Sequence, residues 1–169
     1  EYQSKKENRN KKKVAFIEKN LRTVKKKLVE ANHSMRRDHL TQAFNRKSFD
    51  EQIHQLWKLS QSNHQAISLM ILDIDFFKKI NDNYGHDMGD FVLVECVKVL
   101  HRLFNRESDF VARIGGEEFA IILPDYRIEH AADKAQKALE QIRKEVFVKN
   151  GMELRFTVSM GVAQLGEGE

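Results

Sequence analysis

The sequence predicts an α+β protein, an antiparallel sheet with packed helices behind an N-terminal helical stalk, and three observations carry that prediction. Apolar residues near the N-terminus recur at alternating spacings of three and four. Further along, apolar runs of strand length alternate with amphipathic stretches of helix length. The doublet Gly115-Gly116 then joins two such runs, Phe110–Ile114 and Phe119–Leu123, as the turn of a β-hairpin. With 169 residues and 41% apolar content, the chain can bury one core and carry an extension, but hardly two full domains.

The stalk is expected over residues 1–38. Val14, Ile17, Leu21, Val24, Leu28, Ala31 and Met35 form a heptad seam, and three heptads with Lys, Arg, Glu and Asn elsewhere favour a coiled coil; a helix packed on its own domain is the alternative. The next seam position falls at Asp38, so the helix is expected to run into the following domain and to pass on rotation or register. Charge is lopsided in the same way: residues 1–40 hold 13 Lys/Arg against 5 Asp/Glu (+8), and residues 41–169 hold 16 against 20 (−4). Runs such as Lys11-Lys12-Lys13 and Lys25-Lys26-Lys27 suit an anionic membrane or nucleic acid, but the plainer reading is a solvated helix face, and no nucleic-acid partner is expected.

The domain is expected over residues 39–169. Lys47 to about Gln61 has the spacing of an amphipathic helix with Phe49, Ile53, Leu56 and Trp57 on the core side. The remainder reads as strand 67–73, short helix 76–83, helix 88–104, strand 109–114, strand 118–123, helix 128–147 and strand 153–163. Taken as β-α-β-β-α-β, this order is a split βαβ, ferredoxin-like arrangement with the helices on one face, and it lets acidic strand ends converge on one edge.

Chemistry concentrates at two of those ends. Paired glycines imply a tight turn with positive φ whose bare backbone lets a phosphate or base come close. Glu117 and Glu118 follow at once, suiting either a surface loop or a divalent metal with oxygen ligands. Asp73 closes the apolar run Leu69–Leu72, where an unpaired carboxylate invites a metal or a cation; capping the next helix is the alternative. Asp73 and Glu117 can together hold one hard cation such as Mg²⁺, which completes its shell with water and substrate phosphates, and this predicts nucleotide chemistry. The single cysteine, Cys96, lies in an apolar helical stretch and reads as a core residue in a reducing, cytoplasmic setting. No signal peptide or membrane-length apolar run is present. The chain opens in a charged segment without Met, so an upstream sensor or membrane part is expected outside it.

Several ordered motifs extend the pattern. Asp38-His39-Leu40-Thr41 with Asn45-Arg46, the stretch from Asp73 to Asp90, the Gly115–Phe119 turn and Thr157-Val158-Ser159-Met160-Gly161-Val162-Ala163 follow one another over about 125 residues. Together they resemble the GGDEF domain, the bacterial diguanylate cyclase family, in its Gly-Gly-Glu-Glu-Phe form. The resemblance implies a nucleotide-cyclase-type fold in which two GTP-loaded subunits face each other and make cyclic di-GMP and two pyrophosphates. It implies metal ligation (Mg²⁺ or Mn²⁺) by Asp73, Glu117 and the carbonyl of Ile74, with Glu117 also the proton acceptor and Lys78 neutralising terminal phosphates. Phe76 and Phe77 fall where backbone amides meet phosphate, and Asn81 and Asp90 match the guanine-reading pair. His86 matches a nucleotide-contacting position or caps the next helix. Arg106 and Asp109 match an Arg-x-x-Asp site where product inhibits, with a surface ion pair as the alternative.

Two departures from the family pattern stand out. Gln42-Ala43 replaces the usual Gly-Leu, altering the local turn. The family also continues into a final helix whose lysine and arginine contact triphosphate, whereas this sequence stops at Glu169. The expected function is therefore a diguanylate cyclase acting as a homodimer through its N-terminal helix. The alternatives are a receptor that binds GTP or cyclic di-GMP without turnover, and a scaffold acting through the coiled coil.

Overall fold

The computed structural model describes residues 2–165, with segments 2–10 and 33–34 described by their backbone. The chain divides into two compact units between Arg36 and Arg37. The first is the helix α1 (Tyr2–Arg36), whose seam residues Ile17, Leu21, Val24 and Leu28 are all about 60% exposed or more. The helix stops two residues short of Asp38, contrary to the expectation that it runs through that position. Asp38 Oδ2 instead accepts from the amide and hydroxyl of Thr41 (2.8 and 2.7 Å), a local side-chain turn that competes with helix continuation.

The second unit begins at this turn. Phe44 bridges to Ala112, and its ring stacks on Phe110 at 3.9 Å. Asn45 then accepts from the Ser48 amide and caps α2 (Arg46–Asn63). There follow β1 (Ile67–Ile74), α3 (Phe77–Tyr84), α4 (His86–Leu103), β2 (Phe110–Arg113), β3 (Glu118–Pro124), α5 (Ile128–Lys144), β4 (Phe147–Lys149), β5 (Met152–Leu154) and β6 (Val158–Leu165). The main sheet has the order β2-β3-β1-β6 with every neighbouring pair antiparallel. The fold is thus the α+β, antiparallel-sheet arrangement read from the sequence.

Three expectations need correction. Helices cover both faces of the sheet, not one: Met70, Leu72, Ile121 and Leu123 join the core of α4 and α5, while Phe110, Ala112, Ala120 and Ile122 pack on Phe49 of α2. Trp57 is not in that core; at 42% exposed it sits at the rim, and Phe49, Ile53 and Leu56 face the sheet. The helix predicted over 128–147 ends at Lys144, and the strand predicted over 153–163 is β6, which starts only at Val158, preceded by an extra hairpin of β4 and β5. Asn150 (φ 52°) and Gly151 (φ 77°) turn that hairpin, an Asn-Gly pair with positive φ at both central positions. Phe147 and Phe156, stacked at 4.8 Å, bury it against the core.

Candidate active site

The register of β1 brings the acidic residues together. Asp73 is paired across the sheet with Glu118 on one side and with Ser159 on the other, so the end of β1 lies beside the start of β3. The Ile74 amide donates to the Glu117 carbonyl (3.3 Å), which carries the contact one residue past the regular ladder. Burial first, then the charges of Glu117, Glu118 and Asp75, push the Asp73 carboxyl above its ordinary value. This is surplus negative charge at one point, and it suits a divalent cation. Among the described residues no three His, Cys, Asp or Glu side chains close a metal cage on their own. Asp73 does not cap α3: the capping position is Phe76, and no side chain caps it.

The hairpin turn differs from the expected tight one. Ile114 to Glu117 form the loop, both Ile114 and Gly115 donate to the Glu118 carbonyl (2.9 and 3.3 Å), and neither glycine has positive φ. A Cβ at Gly115 would meet the Glu118 carboxylate, the movable end of an exposed side chain that folds back over the turn.

Phe76 begins α3 in the left-handed region (φ 55°), an unfavourable conformation for a bulky residue that costs about 1–3 kcal/mol and clusters at functional sites. Its ring is 71% exposed, with the Lys79 ammonium 4.7 Å from the centroid. Phe77 is half-buried against the core, and Lys78 is exposed on the same turn. The first amides of α3 are therefore presented next to Asp73, an arrangement suited to anionic oxygens. Gly85 ends α3 and opens α4, so His86 is the first residue of α4 and its side chain does not cap it. Asn81 on α3 meets α4 at Gly89, where a Cβ would overlap the Asn81 amide oxygen; the missing side chain brings Asn81 beside the neighbour of Asp90, which is exposed.

Arg106 and Asp109 stand on the loop before β2. The Asp109 side chain is fully buried, and its carboxylate accepts from the Arg106 main-chain amide (3.1 Å) and Nε (2.8 Å). The Arg106 guanidinium also donates to the Pro124 carbonyl (3.0 Å) and lies 4.1 Å over the Tyr126 ring. In this state the pair is closed on itself and is not a simple exposed ion pair.

Several residues around the site had no sequence signal of their own. Asp75 accepts from the hydroxyls of Thr157 and Ser159 (2.6 Å each), locking β1 to β6. A cleft of about 430 Å³ opens beside it, lined among others by Phe76, Lys79, Arg143 and Arg155, so Lys79, not only Lys78, contributes positive charge at this edge. Arg113 donates to the Gly116 carbonyl of the hairpin turn. Arg143 on α5 and Arg155 after β5 are far from the motif in sequence and reach the cleft only through the fold. Cys96 is wholly buried, and burial pushes its thiol up to about 12, which removes it as a nucleophile.

Comparison with known proteins agrees with this geometry. The family described as "Diguanylate cyclase, GGDEF domain" matches residues 35–169. "Probable diguanylate cyclase DgcE" of Escherichia coli is 34% identical over 143 residues, 85% of this chain and 13% of that protein. The response regulator PleD of Caulobacter vibrioides is 40% identical over 135 residues, 78% of this chain and 30% of that protein. The coiled coil and GGDEF domain of DgcB from Caulobacter crescentus, solved in complex with c-di-GMP, superposes with a TM-score of 0.85 at 28% identity, covering 93% of this chain and 83% of that one. The chain thus spans only a minor part of the length of the curated relatives it matches.

Proposed function

Because the chain belongs to the GGDEF family of diguanylate cyclase domains, we propose that it condenses two GTP molecules into cyclic di-GMP and two pyrophosphates, with one nucleotide held on each of two facing copies. The observation that carries this reading is the meeting of Asp73 and Glu117 at adjacent strand ends, close enough for the Glu117 charge to act on Asp73. Asp73, Glu117 and the Ile74 carbonyl would hold a divalent cation (Mg²⁺ or Mn²⁺), which would supply charge to offset the triphosphate.

The chain's own groups do the rest. Asp90 accepts from guanine N1–H and N2–H₂ while the Asn81 amide donates and accepts along the same base, a pattern adenine does not match. The amides opening α3 at Phe76 and Phe77 take phosphate oxygens, Lys78 adds positive charge, and His86 borders the nucleotide. Glu117 takes the proton of the 3′-hydroxyl, whose oxygen bonds to the α-phosphorus of the partner nucleotide as the bond to pyrophosphate breaks. Two such steps close the ring, so a single copy is insufficient and the exposed seam of α1 supplies the dimer. Arg106 and Asp109 bind the product at a separate inhibitory site once the arginine turns outward. GTP as substrate supports a cytoplasmic setting for this chemistry.

The test is Glu117→Gln, which keeps the side chain's size but removes its charge. The variant should fold as wild type by circular dichroism, retain guanine recognition, and form cyclic di-GMP at least about 10²-fold more slowly. A folded variant with the wild-type rate contradicts the assignment of Glu117. A wild type that binds GTP with Mg²⁺ and forms no product is instead a receptor signalling through its stalk.

A further inference from the structure

Glu117 is held between two pinned carbonyls. Its own carbonyl accepts from the Ile74 amide (3.3 Å). The carbonyl before it, on Gly116, accepts twice from one guanidinium: Arg113 Nε at 3.0 Å and Nη2 at 2.7 Å. The glycines do not supply this rigidity, since neither is confined to the left-handed region and a Cβ at Gly116 would meet only open space. The third nitrogen of the same guanidinium faces away from the turn and bonds both carboxylate oxygens of Asp38 (Nη1 to Oδ1 3.3 Å, to Oδ2 3.2 Å). Both partners are largely buried, with side-chain exposures of 18% and 22%. Asp38 is in turn held by the amide and hydroxyl of Thr41, and the Arg113 amide donates to the Phe44 carbonyl (2.8 Å). A continuous line of charge-assisted contacts therefore runs from the Thr41 turn through Asp38 and Arg113 to the peptide that carries Glu117.

We propose that Arg113 is a positioning residue for the metal site: its fork fixes the Gly116 carbonyl, and with it the Glu117 carboxylate opposite Asp73, and Asp38 fixes the fork. A planar guanidinium is required because only it can face two carboxylate oxygens with one nitrogen and one carbonyl with two others; an ammonium on a flexible stem meets one side or the other. The inference rests on the reading of Glu117 as a metal ligand. It goes beyond that reading by making metal affinity depend on a residue that touches neither metal nor nucleotide, and on the turn at residues 38–41.

The experiment compares wild type with Arg113→Lys and Asp38→Asn. Mn²⁺ binding is read by electron paramagnetic resonance in the presence of a non-reacting GTP analogue, amide exchange at Gly116 and Glu117 is read in the metal-free protein, and product formation is followed in parallel. Arg113→Lys should weaken Mn²⁺ binding by about ten- to a hundred-fold, as loss of an outer-shell partner does. Amide exchange of the turn should speed up, while melting temperature falls little. Asp38→Asn should shift both readouts the same way by a smaller factor, and the two substitutions together should act less than additively. Equal Mn²⁺ affinity in Arg113→Lys and wild type overturns the proposal, as does a loss that tracks global unfolding. If Arg113→Lys does not fold, Asp38→Asn decides: unchanged Mn²⁺ affinity and turn exchange overturn it. A wild type that binds Mn²⁺ through Arg113-dependent geometry yet makes no cyclic di-GMP removes the cyclase reading and leaves this one standing.

Discussion

At Asp73 stability and function oppose each other. Burial and three neighbouring carboxylates hold its folded-state pKa above the ordinary value, so its charge opposes folding at neutral pH and this cost disappears as pH falls below the ordinary carboxylate range. Asp73→Asn is therefore expected to melt higher than wild type at pH 7 without metal, to lose that advantage in acid, and to show no stabilisation by Mg²⁺ with GTP; a thermal melt series across pH and Mg²⁺ checks all three. Asp38 has the opposite sign. Burial raises its pKa, but the Thr41 amide and hydroxyl and the Arg113 guanidinium outweigh burial and lower it, so its contribution is present above the ordinary carboxylate value and is lost as pH falls through the depressed one. Asp38→Asn should accordingly destabilise at pH 7 and become neutral in strong acid. Nearby, Gln42 sits at φ 62°, a left-handed position where the family's usual glycine is free of strain. Its side-chain amide bonds the His39 carbonyl at 3.0 Å, which offsets part of that strain. Gln42→Gly should change stability by less than about 1 kcal/mol, because relief of left-handed strain and added unfolded-state entropy are of similar size; Gln42→Val, which keeps the strain and stiffens the side chain, should cost more than about 1 kcal/mol. Chemical denaturation separates the two.

Among elements, α1 leaves described seam residues exposed: Ile17, Leu21, Val24 and Leu28 repeat at heptad spacing, and a 35-residue helix with that pattern suits a coiled coil. Leu21→Glu with Leu28→Glu should cost the assembly at least about 3 kcal/mol from the two lost leucine contacts. Sedimentation should then show monomers and turnover should fall with them. A dimer that survives the double substitution, or a monomer with full turnover per chain, takes the helix out of the mechanism.

For the molecule as a whole, the proposed role of the Arg106–Asp109 pair in product binding would link recognition to stability. The Asp109 side chain is wholly buried and its Oδ1 is bonded by the Arg106 guanidinium, so Arg106→Ala leaves that oxygen unpaired while Oδ2 keeps the main-chain amide, and should cost about 1–3 kcal/mol. The same substitution should weaken cyclic di-GMP binding. Calorimetry well below both melting temperatures separates the effects: equal product affinity leaves Arg106 a structural role alone.

The local pattern of this chain was legible wherever one chemical signal sufficed. Apolar periodicity located α2, α4, β1, β2 and β3 to within about two residues, while the start of β6 was placed too early, and the carboxylates at Asp73 and Glu117 stood out because charge next to apolar runs is costly unless it is used. Turn geometry was less legible. Gly115-Gly116 looked like the positive-φ turn and is not, since its loop is longer; Asn150-Gly151 is the true two-residue turn, and its short flanking strands merged into neighbouring elements. What only the tertiary structure decided were contacts between residues distant in sequence: Arg113 reaching Asp38, Asp75 reaching Thr157 and Ser159, and α2 covering the second face of the sheet. Periodicity records which side of an element is apolar, whereas these pairings depend on strand order and register, which bring together residues up to 84 positions apart and leave no mark in the local sequence.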